Sequence, residues 1–323
     1  MAEIDDYRSG SGSSPDGISN QHISTMSKSN VKFERWGHVQ NHTWPFQVYK
    51  LYNEELSQFL WAEEAAARYT HNRLGKDGAD ENDPPTKHFS LPAHRIANMK
   101  TLKGWAKVFD DSHNWMRLNC LMAISSNMET YLGSVISLAI ESNPGVLLGS
   151  TVRIDGAKLL KDGSLDSAVY AKHLEACTKG EWNARLAAFE KLFGPAPASY
   201  YDGLSTLERM RKMRNNLGHT FGRDIDASKD FSFNKKRPVD RIQLPTLVKY
   251  LEKAYNIVLD IDEFLLQHHI GEFQAIYAYH QHRDEFAGAE IDKALELKKF
   301  YGEHDQSVGK NFCKGLVRYY EGL

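Results

Sequence analysis

The fold is decided by residues 111–142, which read DSHNWMRLNCLMAISSNMETYLGSVISLAIES. Mostly apolar side chains recur there at steps of three and four, namely Trp115, Leu118, Met122, Ser125, Met128, Leu132, Val135 and Ala139. An α-helix brings residues at this spacing onto one face. The run Asn143, Pro144 and Gly145 then stops the pattern. The stretch therefore predicts one long helix at the centre of the hydrophobic core.

The same spacing predicts further helices on both sides of this one. They are expected at residues 48–73, 167–177, 181–193, 201–217, 244–268, 272–285 and 290–320. The first rests on the recurrence of Val48, Leu51, Tyr52, Leu56, Phe59 and Leu60. Because alternating, strand-like patterns are nearly lacking, we expect an all-α fold built as a helical bundle with elaborations.

Composition limits the class of protein. With 323 residues, 41% hydrophobic and 25% charged, the chain can bury an ordinary globular core, and it has no long uncharged apolar run that would span a membrane. A net charge of -2 means that any contact with nucleic acid must depend on a local basic cluster. The first residues lack the basic start and apolar centre of a secretory signal, so a cytoplasmic protein is expected. Three widely spaced cysteines, Cys120, Cys177 and Cys313, fit reduced thiols.

The composition also predicts how the chain is divided into a tail, a main domain and two extensions. Residues 1–30 are rich in Ser, Gly and Asn and are expected to form a disordered tail. The stretch KDGADENDPPT at 76–86 is expected to set an N-terminal helical extension, residues 31–109, apart from the rest of the chain. We expect the main helical domain at 110–270 and a C-terminal helical extension at 271–323.

One segment has a cationic residue within the apolar face of a predicted helix. Residues 204–223 read LSTLERMRKMRNNLGHTFGR. On a helix, half of the circumference is occupied by Leu204, Leu207, Met210, Met213 and Leu217. Arg214 falls inside this arc, where a guanidinium is costly unless it is paired or meets a polar cavity.

The glycine after this face bears on the position of His219. An ideal helix would hold His219 about 140° away from Arg214. Gly218 is expected to end or loosen the helix and so to bring the two side chains together.

The run RNNLGH at 214–219 resembles the R-x4-H motif of the HEPN superfamily (higher eukaryote and prokaryote nucleotide-binding), in which a polar residue, here Asn215, often follows the arginine. The order of helices is similar too. A long first helix contains NMETYL at 127–132, the motif lies near the end of an amphipathic helix, and a strong helix comes after it. The resemblance covers roughly residues 110–269 and implies a HEPN-like bundle.

The resemblance implies a metal-independent endoribonuclease without a cofactor, formed when two HEPN domains pair and place two Arg/His sets in one cleft. RNA would be the substrate, a homodimer the active form, and an antitoxin or activator chain a possible partner, in a toxin or antiphage role. The chemistry suits these residues, because a histidine can take the proton of a 2′-hydroxyl while an arginine steadies the phosphate. His219 would be the general acid/base, Arg214 the phosphate clamp and Asn215 an orienting partner.

Several residues admit two interpretations. Glu129, on the first helix, either holds Arg214, as carboxylates do in related proteins, or is solvated. Arg209, Arg211 and Lys212 either form an RNA-facing basic edge or a solvated charged face.

Phe221 stands where some HEPN toxins have a tyrosine that a partner nucleotidyltransferase modifies, so control by that route is not expected.

Two rival hypotheses remain open. In the first, the chain is a non-catalytic HEPN-like module that binds RNA, nucleotide or protein, with Arg214 as a structural cation. In the second, it is a helical scaffold in which RNNLGH is coincidence. A metal site at His268, His269, His280 and His282 is not expected, because residues one or two apart on a helix face different ways.

Overall fold

The computed structural model describes residues 31–90, 92, 94, 99–163, 165–220, 239–303 and 308–323. Within these ranges the chain forms ten α-helices and no β-strand, so the all-α prediction is confirmed. The helices are α1 Trp44–Lys76, α2 Leu102–Ser142, α3 Gly156–Asp162, α4 Ser167–Thr178, α5 Trp182–Phe193, α6 Ala198–Thr220, α7 Leu244–Leu265, α8 Phe273–His282, α9 Glu290–Glu303 and α10 Lys310–Glu321. The predicted tail at 1–30 and Phe221 lie outside the described residues.

Helix α2 is the centre of the bundle and packs against α1, α4, α6 and α7. It begins at Leu102 rather than at residue 111, because Thr101 caps it: the hydroxyl accepts a hydrogen bond from the Gly104 N–H at 3.1 Å. The predicted domain boundary between residues 109 and 110 thus falls inside this helix.

Helix α1 lies antiparallel along α2. Near its start, the Asn127 amide donates to the Tyr49 carbonyl at 3.1 Å, and further along, Arg117 on α2 donates to Glu64 on α1 at 3.2 Å. The helix is present as predicted, but much of the apolar face that predicted it is exposed to solvent. The exposed residues are Val48, Leu51, Tyr52 and Phe59.

The C-terminal half completes the same core. Helix α7 is followed by a π-helical turn, Leu266–Ile270, and by Gly271, whose φ of +53° favours glycine and whose Cβ position would lie 2.6 Å from the Arg35 carbonyl. The segment predicted as one helix at 290–320 contains two, α9 and α10, which pack on each other. One hydrophobic cluster includes residues from α1 to α10, so both predicted extensions share the core of the central helices.

A buried arginine, Arg35, connects parts of the chain that are far apart in sequence. Arg35, only 6% exposed, donates hydrogen bonds to Asp155 Oδ1 (2.8 Å), the Ile270 carbonyl (2.8 Å), and the carbonyl and hydroxyl oxygens of Ser142 (both 2.9 Å). Its guanidinium also lies 4.1 Å from the ring centre of Trp36. The segment before α1 is thereby tied to the end of α2, the start of α3 and the π-helical turn.

Candidate functional site

Helix α6 carries the RNNLGH motif and runs unbroken from Ala198 to Thr220, packed against α2 and α7. Its predicted apolar face is packed: Leu207, Met210 and Leu217 are buried. The prediction that Gly218 ends or loosens the helix is wrong. A single glycine costs a helix only about 1 kcal/mol, and the packing of α6 outweighs it.

Because α6 is continuous, it fixes the angle between the side chains of Arg214 and His219 around the helix axis. Because residues five apart differ by about 140° around an ideal helix, Arg214 and His219 leave α6 in different directions. Arg214 is half-buried, whereas His219 is exposed. The structure therefore does not bring the two side chains together in the way that a helix end at Gly218 would.

Arg214 is held by a carboxylate of α2. Its Nη2 donates to Glu129 Oε2 at 3.2 Å, and its Nη1 donates to Asn215 Oδ1 at 3.3 Å. The side chain is 36% exposed. A guanidinium has five N–H donors, and these two hydrogen bonds are the ones it makes to the described residues. Glu129 thus orients Arg214 without enclosing it.

A second arginine shares this carboxylate. Arg185 on α5, only 3% exposed, donates to Glu129 Oε1 at 3.0 Å and to the Gly180 carbonyl at 3.0 Å, and lies 4.4 Å from the Trp182 ring centre. Its Nη1 is buried without a hydrogen-bond partner among the described residues. One carboxylate therefore faces two guanidinium groups, and the cluster Glu129, Arg185 and Arg214 carries one excess positive charge.

Sequence reasoning missed Arg185, although the signal that identified Arg214 is present there too. On α5, Arg185 lies within the buried face formed by Trp182, Leu186 and Phe189. A cation inside an apolar helix face needs a partner, and here the partner is the same glutamate that holds Arg214.

The predicted basic edge of α6 is smaller than expected. Arg209 and Lys212 are exposed, but the Arg211 Nε donates to Glu208 Oε2 at 2.9 Å and its Nη2 lies 3.9 Å from Glu181 Oε1. The hydrogen bond from Arg211 holds the pKa of Glu208 below its ordinary value. Arg211 is thus neutralised within the protein, which leaves Arg209 and Lys212 as the available cations of this edge.

The second asparagine of the motif has a tethering contact. Asn216 donates to Asp240 Oδ2 at 3.0 Å, and the Asp240 carbonyl accepts from Asn114 of α2 at 2.8 Å. The Ile242 N–H in turn donates to Asn114 Oδ1 at 3.0 Å. The chain that enters α7 is therefore fastened to α2 and to the end of α6, whereas Asn215 contacts Arg214.

Three of the four C-terminal histidines, His269, His280 and His282, have different surroundings. His269 is buried, and burial lowers its pKa to about 4. His280 lies 2.6 Å from the Tyr320 hydroxyl and His282 lies 3.0 Å from Glu285. Among the residues that the structure describes, no group of three or more His, Cys, Asp or Glu side chains is arranged to hold a metal ion.

Comparison of the chain with protein families, curated proteins and solved structures finds no match. In the described part of the chain, every helix is too short or too polar to cross a lipid bilayer.

Proposed function

We propose that this protein is a HEPN-type, metal-independent endoribonuclease that acts on RNA as a homodimer. The observation that carries the proposal is the setting of Arg214. This arginine lies on an apolar helix face, yet it is held half-exposed by Glu129, with N–H donors beyond those that the described residues use.

Such a setting suits a phosphate-binding residue. Arginine binds phosphate oxygens through two parallel N–H groups, and a fixed carboxylate behind it lowers the entropy lost when a ligand is bound. The excess positive charge of the cluster Glu129, Arg185 and Arg214 adds an attraction for anions. Asn215, which accepts from Arg214, supports the same orientation.

The reaction is set by the chemistry of the two motif residues. His219 would take the proton of a ribose 2′-hydroxyl, the 2′-oxygen would attack the adjacent phosphorus, and the bond to the 5′-oxygen would break. His219 would then return the proton to the leaving 5′-oxygen. Arg214 would stabilise the charge that develops on the phosphoryl oxygens. The products are a 2′,3′-cyclic phosphate and a 5′-hydroxyl end.

The direction of the side chains supports a dimer. Arg214 and His219 point to different sides of α6. Two copies of α6 could therefore place an arginine from one copy and a histidine from the other around one phosphate. Arg209 and Lys212 are exposed on the same helix and would contact the RNA backbone. A nuclease of this kind fits a cytoplasmic toxin or antiphage role, restrained by an antitoxin or an activator chain.

A second candidate function is a non-catalytic HEPN-like module that binds RNA, nucleotide or protein. The shared carboxylate favours it, because Glu129 compensates the charge of Arg214 and buried Arg185 belongs to the same network. In this alternative the cluster stabilises the contact between α2, α5 and α6.

The test is incubation of the wild-type protein and His219→Ala with total RNA in excess EDTA, followed by analysis of the cleaved ends. The nuclease proposal predicts cyclic-phosphate or 3′-phosphate ends with the wild type only. A matched control is His38→Ala, which removes another exposed histidine and is expected to cleave like the wild type. Equal cleavage by His219→Ala would refute the role of His219, and intact RNA in all reactions would favour the binding module.

A further inference from the structure

Large apolar side chains are exposed along the outer side of α1. Each is between 52% and 71% exposed, and at about 100° per residue they fall within about 100° of the helix circumference. They are Val48, Leu51, Tyr52, Phe59 and Tyr69. Scattered apolar residues are ordinary on a protein surface, whereas a contiguous stripe of them marks a contact with another molecule. We call these residues, together with Ala62 and Ala66, the α1 stripe.

The middle of the α1 stripe is narrow. Ala62 and Ala66 are exposed there, between Phe59 on one side and Tyr69 on the other. Packed helices lie about 8–10 Å apart, and small side chains at the crossing permit the shorter distance. The large rings on each side can then pack against the flanks of the approaching helix. This shape fits another α-helix better than a flat protein surface.

One end of the α1 stripe is acidic. Glu55 is exposed on the midline of the stripe and makes no ion pair with the described residues. Its neighbour Glu54 lies 3.7 Å from Lys50, so Lys50 compensates the charge of Glu54. One negative charge is left at this end.

The other end of the α1 stripe is basic. Arg73 follows Glu55 by 18 residues, which is five turns of an α-helix, so the two residues lie on one line along α1. The Arg73 Nε atom lies 2.9 Å from Asp77 Oδ2, but this ion pair is exposed and therefore weak. Lys76 adds a second exposed cation. One positive charge is left at this end.

We propose that α1 packs against α1 of a second copy of this chain, with the two helices antiparallel and related by a two-fold axis at the level of residue 64. That axis brings three pairs of residues from the two copies to the same level, namely Ala62 and Ala66, Phe59 and Tyr69, and Glu55 and Arg73. A two-fold contact requires a surface that is complementary to itself. The α1 stripe meets this requirement only when the helices are antiparallel, because its acidic end then meets the basic end of the other copy.

This contact is separate from the RNNLGH motif on α6 and does not depend on the nuclease proposal. The first experiment measures self-association of the full-length protein by sedimentation velocity, from about 1 μM to about 1 mM. Ala66→Arg places two charges at the centre of the contact, and we expect it to raise the dissociation constant at least about tenfold. Ala171→Arg, at an exposed position of α4, is the matched control and should associate like the wild type.

A charge exchange tests the antiparallel arrangement. Glu55→Arg and Arg73→Glu each place like charges opposite each other, so we expect each variant alone to associate about tenfold more weakly than the wild type. In a mixture of the two variants, the mixed dimer has opposite charges in both pairs. We therefore expect the two variants to associate with each other to within about threefold of the wild type, measured by native mass spectrometry with one variant isotopically labelled.

Three results would overturn the proposal. They are a wild-type protein that is monomeric up to about 1 mM, association that Ala66→Arg leaves unchanged, and two charge variants that associate no better with each other than with themselves. Unchanged association in Ala66→Arg would assign the dimer to another surface, such as α6. Circular dichroism verifies that the variants are folded, and the wild-type concentration series stands even if a variant fails to fold.

Discussion

Arg35 and Arg214 are both arginines in contact with the core, but they differ in exposure and in the number of hydrogen bonds they make. Arg35 is 6% exposed, and four oxygen atoms accept hydrogen bonds from it. Arg214 is 36% exposed and makes two hydrogen bonds to described residues. A guanidinium whose donors are satisfied by the protein serves the fold, whereas one that is oriented and has N–H donors beyond those that the described residues use can bind a ligand. This difference supports a functional role for Arg214.

Arg35→Met is the change with the largest expected effect. It would break the buried ion pair with Asp155 and remove the hydrogen bonds that Arg35 donates to Ser142 and Ile270, so we expect the free energy of unfolding to fall by about 3–5 kcal/mol. Urea denaturation measures it. Arg209→Met, at an exposed position of α6, is the control and should change stability by less than about 0.5 kcal/mol. A loss at Arg35 no greater than at Arg209 would remove the contrast.

Glu272, beside Arg35, makes this region sensitive to pH. Burial raises the pKa of Glu272 to about 7, against the hydrogen bond from the Val39 N–H and the charge of Arg35. The folded protein therefore binds a proton more readily than the unfolded chain, and this contribution to stability is lost as pH rises from about 4.5 through 7. Glu272→Gln keeps an acceptor for Val39. Relative to wild type, we expect it to gain up to about 3 kcal/mol between pH 4.5 and 8, measured by urea denaturation.

A difference between Glu272→Gln and wild type that does not change with pH would contradict that assignment. The comparison between the two proteins also cancels the opposite contribution of His269. The pKa of His269 is lowered by burial, so its contribution to stability is lost as pH falls.

Glu129→Gln tests the cluster around Arg214. It would remove the charge that compensates buried Arg185, while the amide oxygen still accepts one hydrogen bond. We expect a loss of about 2 kcal/mol in the free energy of unfolding. Arg185→Met added to this variant should recover part of the loss, because the unpaired cation is then gone, and a further additive loss would show that the two residues act independently.

The sequence predicts those features that depend on long periodic patterns. The spacing of the apolar residues is enough to predict helices α2 and α6 and the unusual position of Arg214. The same spacing on α5 places Arg185 among the buried residues Trp182, Leu186 and Phe189. The prediction of a helix end at Gly218 is wrong because one glycine costs a helix less energy than the packing of α6 on its neighbours supplies.

Other features depend on contacts that no local pattern records. Arg35 lies in an irregular segment, and its partners are 107 to 235 residues away in sequence. The apolar residues Val48, Leu51 and Tyr52 have the spacing of a packed face but are exposed. Spacing shows that a helix has an apolar side, and it does not show which neighbour covers that side.

Arg214→Met decides whether Arg214 serves a ligand rather than the fold. The measurement is the rate of RNA cleavage in EDTA by this variant and by wild type, with urea denaturation of the same samples. If Arg214 binds the phosphate, cleavage falls at least about 100-fold, while the free energy of unfolding changes by less than about 1 kcal/mol. Retained cleavage, or a loss of stability as large as that of Arg35→Met, would contradict that role of Arg214.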